Sequence, residues 1–291
     1  MLFGSLSFAI MSATTHALGA ACDWQVIALA RSGLAFLFTA VLAVIAGEKL
    51  VLWKPGILWW RSIAGSVSLV CCFYALTRLP VSDVLTLTNM FPIWVALLSW
   101  PLLKERPSGQ VWVAIVLGVI GVILIQQPHL AEGKLAAFLA LFSSFSTAIA
   151  MMGLHRLKGV DTRAVVVHFS GVSFLFCFAA LFLFPSGQLS QSNLKGSTVA
   201  LLLGVGVTAT IGQLFLTKAF AAGPPAKVSI VALTQIVFAL ILDWLLLDRS
   251  FNPLSLVGIA LVVAPTAWVL AYRKRSEPSV IVRSTHAVES L

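Results

Sequence analysis

Arg31 lies inside an apolar run, Gln25–Ala46, that is otherwise free of charge. It stands about seven residues from the start of that run, roughly 10 Å along a helix at 1.5 Å per residue. A guanidinium at that depth is costly in lipid, and such charges mark gates, ion pairs or ligand sites. Asp23, Asp83 and Asp243 fall toward the same membrane face. The expectation is that Arg31 pairs with one of these acids to hold an outer gate shut. A static ion pair or a snorkelling side chain would use the same residues. Under an internal repeat described below, the counterpart of Arg31 is His168, toward the other face.

A second set of residues could bind a solute near the middle of the membrane. Ser12, Thr14 and Thr15 lie at mid-depth in the first segment, Ser68 and Tyr74 in the third, Asn89 and Trp94 in the fourth. Ser143, Ser144 and Ser146 follow in the sixth, Thr208, Thr210 and Gln213 in the eighth, Thr234 and Gln235 in the ninth. From this set, Ser12, Thr15, Tyr74, Asn89, Trp94, Ser143, Gln213 and Gln235 are the candidates to line a central cavity. An amide in lipid needs a partner, so Asn89 and Gln235 should face a cavity or a neighbouring helix. Trp94 could form an aromatic wall or simply pack. The pattern is neutral and polar. It suits a zwitterion such as an amino acid, or an uncharged metabolite. Lys218 and Lys227 at the inner mouth keep an anionic nucleotide-like or sugar metabolite as the alternative.

Other chemistries find no support. There is no Gly-x-Ser-x-Gly elbow, no His-Glu-x-x-His pair and no Walker loop. Glu105 and Asp248 belong to opposite faces and cannot work as a carboxylate pair. The cysteines Cys22, Cys71, Cys72 and Cys177 lack metal-site spacing, so no metal or cofactor is expected. No acid stands at mid-depth, and His16 and His168 lie toward the ends. Facilitated diffusion or exchange therefore fits better than proton coupling. A channel would need a continuous polar stripe, and a structural subunit no sealed cavity.

The elements that must position these residues are membrane helices. Charged residues make up 10% of the chain, against about 25% in soluble proteins. Apolar residues make up 59%, more than a soluble fold of this size could hide. Ten runs reach membrane length, about 20 residues each: 2–20, 25–46, 62–77, 84–103, 111–126, 135–154, 164–184, 197–217, 228–247 and 254–272. Arg31 and Asp243 are the charges inside them. Helices satisfy their own backbone in lipid, whereas a barrel would show short alternating strands. The first run has no basic residue before it, which argues against a cleaved leader.

Charge sets the orientation. With the N-terminus in the cytoplasm, fourteen of the nineteen lysines and arginines fall inside and four outside, Arg31 being the remaining one. That bias follows the positive-inside rule and places both termini in the cytoplasm. It also accounts for the net charge of +9 without nucleic acid as a partner. The tail 273–291 is expected to be cytoplasmic. Short loops suggest a prokaryotic inner membrane, with the chain working as a monomer or a homodimer.

The chain repeats itself. Ile93, Ala96, Leu97, Leu102, Leu103 and Arg106 recur 143 residues on as Ile236, Ala239, Leu240, Leu245, Leu246 and Arg249. Each copy ends in an acid followed by arginine, Glu105-Arg106 and Asp248-Arg249. Copies five segments apart must cross the membrane in opposite senses. Inverted repeats of this kind build secondary transporters, with the solute at the midplane between halves. The expected halves are 1–126 and 127–272. Small residues at every fourth position, Ala9-Ala13-Ala17-Ala21 and Ala200-Gly204-Thr208-Gly212, allow close packing or sliding.

Tyr74-Ala75-Leu76, Leu79-Pro80-Val81-Ser82-Asp83, Pro92 and Glu105-Arg106 together resemble the drug/metabolite transporter superfamily, in its EamA-type branch. The resemblance spans nearly the whole chain. It departs in the second half, where Gln235 replaces Pro92 and Gly223-Pro224-Pro225-Ala226-Lys227 replaces the Leu-Pro-x-Ser-Asp link. It implies an all-α integral membrane protein of ten transmembrane helices in two inverted five-helix repeats. It further implies a carrier of small metabolites, often outward, by alternating access.

Overall fold

The structure is a computed structural model that describes residues 1–18, 22–76, 78–79, 81–127, 134–183, 196–247 and 252–273. Every regular element among them is a helix. In chain order these are α1 Leu2–Leu18, α2 Trp24–Ile45, α3 Ile57–Leu76, α4 Val81–Thr88, α5 Phe91–Leu103 and α6 Gly109–Gln126. The second half supplies α7 Lys134–Arg156, α8 Thr162–Leu183, α9 Gly196–Ala222, α10 Pro225–Ala232, α11 Thr234–Leu247 and α12 Pro253–Arg273. Among the described residues, nine spans are long and apolar enough to cross a membrane, and Leu2–Leu18 is a shorter apolar helix.

Two of the expected ten segments are broken. The fourth divides at Asn89-Met90 and the ninth at Leu233. Met90 and Leu233 are 143 residues apart, the same shift that relates the sequence repeats. Pro92 occupies the first turn of α5, where a missing N–H is harmless. Its counterpart Gln235 is not a proline, yet the break persists. The freed backbone is served in part by side chains: Asn89 Nδ2 donates to the Leu85 carbonyl at 2.8 Å, and Thr234 Oγ1 to that of Val231 at 2.7 Å.

Helix packing obeys the same pseudo-symmetry. Two of the extensive pairs, α2 with α8 and α6 with α12, link equivalent helices. The others come in reciprocal sets: α3 with α7 and α1 with α9, α3 with α8 and α2 with α9, α5 with α7 and α1 with α11. In lipid, association depends on close packing and hydrogen bonds instead of the hydrophobic effect. At the α6–α12 crossing, a Cβ added to Gly121 would stand 2.7 Å from the Gly258 carbonyl oxygen, and one added to Gly258 equally close to that of Gly121. α1 packs against α9 at two members of the α9 stripe, Thr208 and Gly212. Ser7 Oγ donates to the Thr208 carbonyl at 2.8 Å, and the Phe8 ring fills the space beside Gly212.

α5 ends as its sequence suggested. Lys104 takes a left-handed conformation, φ 58°, and its N–H returns to the last helical carbonyls. Arg106 places its guanidinium over the Trp100 ring. The second copy of this ending, Asp248-Arg249, lies outside the described residues.

α3 begins five residues earlier than the apolar run. The turn around Pro55-Gly56 starts the helix at Ile57, so Arg61 belongs to α3 and not to a cytoplasmic loop. Arg61 is 1% exposed and is the largest fully buried side chain among the described residues. This corrects the expectation that Arg31 and Asp243 are the intramembrane charges.

Candidate solute site

α2, α3, α8 and α9 enclose a cavity lined by Arg31, Ser32, Ala35, Leu69, Phe169, Ser170, Ser173, Ala209 and Gln213. Its volume is about 10 Å³, room for about one water and far below the roughly 300–1,000 Å³ of an open ligand pocket. The site is contracted in this conformation.

The pseudo-symmetry explains its make-up. A Cβ on Gly33 would meet the Phe174 ring at 3.2 Å, and a Cβ on Gly171 would meet the Phe36 ring at the same distance. Gly33 and Phe36 thus correspond to Gly171 and Phe174, a shift of 138. By this shift Ser32 matches Ser170, and Arg31 matches Phe169. The expected counterpart, His168, is one residue off. One residue turns a helix by about 100°, which is enough to aim a side chain at a different neighbour. One half of the protein therefore gives the cavity a cation and the other half an aromatic ring.

That ring carries a second cation. The Arg61 guanidinium carbon lies 3.7 Å from the Phe169 centroid. Arg61 Nε, Nη1 and Nη2 are all buried without a hydrogen-bond partner, as is Arg31 Nε. Each arginine lies within Coulombic range of the other. Among the described residues the ion pairs are His155–Glu105 and Arg163–Glu48, and neither Arg31 nor Arg61 takes part. The expected pairing of Arg31 with Asp23 or Asp83 is therefore not made in this conformation. The Asp243 side chain lies outside the described residues. Asp83 is buried on α4 and accepts from Ser82 Oγ at 3.4 Å.

The other sequence candidates scatter. Gln213 joins Arg31 at the cavity. Ser143 instead lies in a serine cluster between α3 and α7, with Ser68 Oγ 2.9 Å from Ser143 Oγ and 2.6 Å from Thr147 Oγ1. Trp94 Nε1 donates to Ser144 Oγ at 2.9 Å, and the Trp94 ring meets Phe145 edge-on. Ser12 Oγ donates within its own helix to the Phe8 carbonyl at 3.0 Å. Thr15 and Gln235 are half-buried and line no part of this cavity. Tyr74 has the Arg78 guanidinium over its ring. His168 is held by Ser62 Oγ, 2.8 Å from Nδ1, and by the edge of Trp59.

Arg61 and Phe169 were missed in the sequence. The signals were present: Pro55-Gly56 is a helix start, and Trp59-Trp60 is an interfacial pair that puts Arg61 on the inner side of the boundary. Nothing in the sequence marks Phe169 among nineteen phenylalanines.

A set of polar ties gathers at the C-terminal ends of α2, α5 and α7 and the N-terminal end of α8. Glu105 Oε1 lies 3.4 Å from His155 Nε2, whose Nδ1 is 3.0 Å from the Phe220 carbonyl oxygen. Arg156 Nη2 donates to the Leu102 carbonyl, and Arg163 meets Glu48 at 3.9 Å. These ties link helix ends at one face of the bundle.

The sequence matches the EamA-like transporter family over residues 1–127 and again over 134–271. This chain belongs to the EamA-like transporter family. It is 29% identical over 265 residues to the protein named pseudopaline exporter CntI of Pseudomonas aeruginosa, covering 90% of this chain and 91% of that one. An uncharacterized transporter of Helicobacter pylori is 25% identical over 207 residues, covering 70% of each chain. A solved crystal structure superposes with a TM-score of 0.81 at 17% identity, covering 94% of this chain and 96% of its own. That likeness shows the fold alone. The EamA-like protein is a multi-pass membrane transporter.

Proposed function

We propose that this EamA-like transporter exports or exchanges a small polar metabolite by alternating access, from the cytoplasmic membrane of a bacterium. The contracted cavity carrying Arg31 is the observation behind this reading. It sits between equivalent helices of the two halves, where a carrier built from inverted repeats binds its solute. Its lining of Ser32, Ser170, Ser173 and Gln213 offers hydrogen bonds to a polar solute. Its small volume means that loading requires the helices to part, as alternating access demands. The discontinuous spans at Met90 and Leu233 supply places for that movement. The exporter name of the Pseudomonas aeruginosa relative agrees with an outward direction. The polar ties around Glu105–His155 would close the cytoplasmic mouth.

No coupling ion is invoked, and exchange or facilitated diffusion suffices. Counterflow in liposomes tests this directly. Purified protein should accumulate a labelled solute when, and only when, the same solute preloads the vesicles. Equal passage from empty vesicles would mark a channel, and the absence of flux for amino acids, sugars, organic acids and nucleotides would refute the carrier reading.

A further inference from the structure

We infer that the solute carries net negative charge, and that Arg31 and Arg61 receive its oxyanion, a carboxylate or a phosphate, at the Phe169 ring. This deepens the carrier reading above and rests on it. A guanidinium can shed water only where other acceptors replace it. Arg61 is 1% exposed, has three unpartnered nitrogens and has no acidic neighbour among the described residues. Among the described residues its compensation is the face of Phe169, a cation–π contact. Arg31, with its own unpartnered Nε, lines the cavity beside that same ring. Two like charges around one aromatic ring repel each other. An oxyanion between them removes the repulsion and fills the empty donor positions.

The geometry also argues against a zwitterion. A ligand ammonium would need a carboxylate, and the cavity lining supplies hydroxyls and one amide in its place. Arginine's planar fork matches carboxylate and phosphate oxygens in pairs. Arg31 lines the cavity from the N-terminal part of α2, and Arg61 meets the Phe169 ring from the N-terminal part of α3. Successive spanning helices start on opposite faces, so the arginines approach from opposite sides. An anion could stay paired with one arginine as it leaves the other, which suits passage across the membrane.

The test uses full-length protein in detergent and in liposomes, with succinate, citrate, glutamate, glycerol 3-phosphate, leucine and glucose as probes. At least one anion should raise the thermal midpoint by several degrees and support counterflow. Carboxylates acting alone would assign the site to carboxylate, and glycerol 3-phosphate acting alone to phosphate. Arg61→Gln and Arg31→Gln should each weaken that anion at least tenfold, and Arg61→Lys should weaken it less than Arg61→Gln. If Arg61→Gln fails to fold, Arg31→Gln carries the comparison. Binding and counterflow of leucine or glucose with no anion active would overturn the inference and leave the carrier intact. Anion binding without flux of any probe would keep the site and refute the carrier. Silence of every anion in both assays would overturn the inference.

Discussion

The guanidinium carbon of Arg61 lies 3.7 Å from the centroid of the Phe169 ring, and Phe169 is the pseudo-symmetric counterpart of Arg31. One aromatic side chain therefore stands under the buried Arg61 of α3 and lines the cavity that Arg31 of α2 also lines. Within the cavity the halves differ by this replacement of a cation by a ring, whereas the helix break is common to both.

Arg61→Met separates stability from transport. Methionine fills a similar volume without a buried charge, and replacing buried charges by apolar groups is often neutral or stabilising by about 1–4 kcal/mol. The variant should unfold at the same temperature or higher, and its counterflow should fall at least tenfold. Thermal unfolding in detergent and vesicle flux, measured on one preparation, check both halves of this statement. A stable variant with normal flux would show that Arg61 is structural ballast.

The α6–α12 crossing depends on absent side chains. Gly121→Val puts a Cβ 2.7 Å from a backbone oxygen that cannot swing away. Overpacking of this sort costs about 1–3 kcal/mol. A lower thermal midpoint is expected for Gly121→Val and for Gly258→Val. The double variant should lose less than the sum, because one separation of the helices relieves both clashes.

Trp94 and Ser144 form one hydrogen bond between α5 and α7. A double-mutant cycle with Trp94→Phe and Ser144→Ala should give a coupling energy of about 0.5–1.5 kcal/mol. Additive effects would mean that the two side chains act independently.

The tie at the end of α5 should divide unequally. Glu105 is 48% exposed on its side chain and His155 8%. Glu105→Gln is expected to cost less than about 1 kcal/mol, as exposed pairs do. His155→Ala leaves the Phe220 carbonyl without its partner and should cost about 1–3 kcal/mol. Denaturation in mixed micelles would rank the two.

The charge bias predicts that both termini lie in the cytoplasm. A C-terminal green fluorescent fusion should fluoresce, and a C-terminal alkaline phosphatase fusion should be inactive. The reverse pattern would invert the whole topology, including the face assigned to the Glu105–His155 tie.

Much of the architecture could be read from the chain. Apolar length and the backbone's demand for hydrogen bonds leave helices as the form of each segment. The recurrence at 143 residues located equivalent helices, and Glu105-Arg106 marked the end of α5. Depth along a segment was legible too, because it is a count of residues. Azimuth was not. Ser12 and Asn89 each satisfy themselves on a carbonyl four residues back along the chain. Polarity at mid-membrane therefore does not say what a side chain faces. Arg61 was misplaced because apolarity begins after it, while the helix begins before it. His168 was chosen over Phe169 because an alignment of apolar helices tolerates a slip of one residue, and only the reciprocal Gly33–Phe174 and Gly171–Phe36 contacts remove that freedom. Sequence alone determined that the chain crosses a membrane in paired halves. Tertiary packing decided which cations meet at which ring, because that depends on rotations of helices about their axes that no count of residues contains.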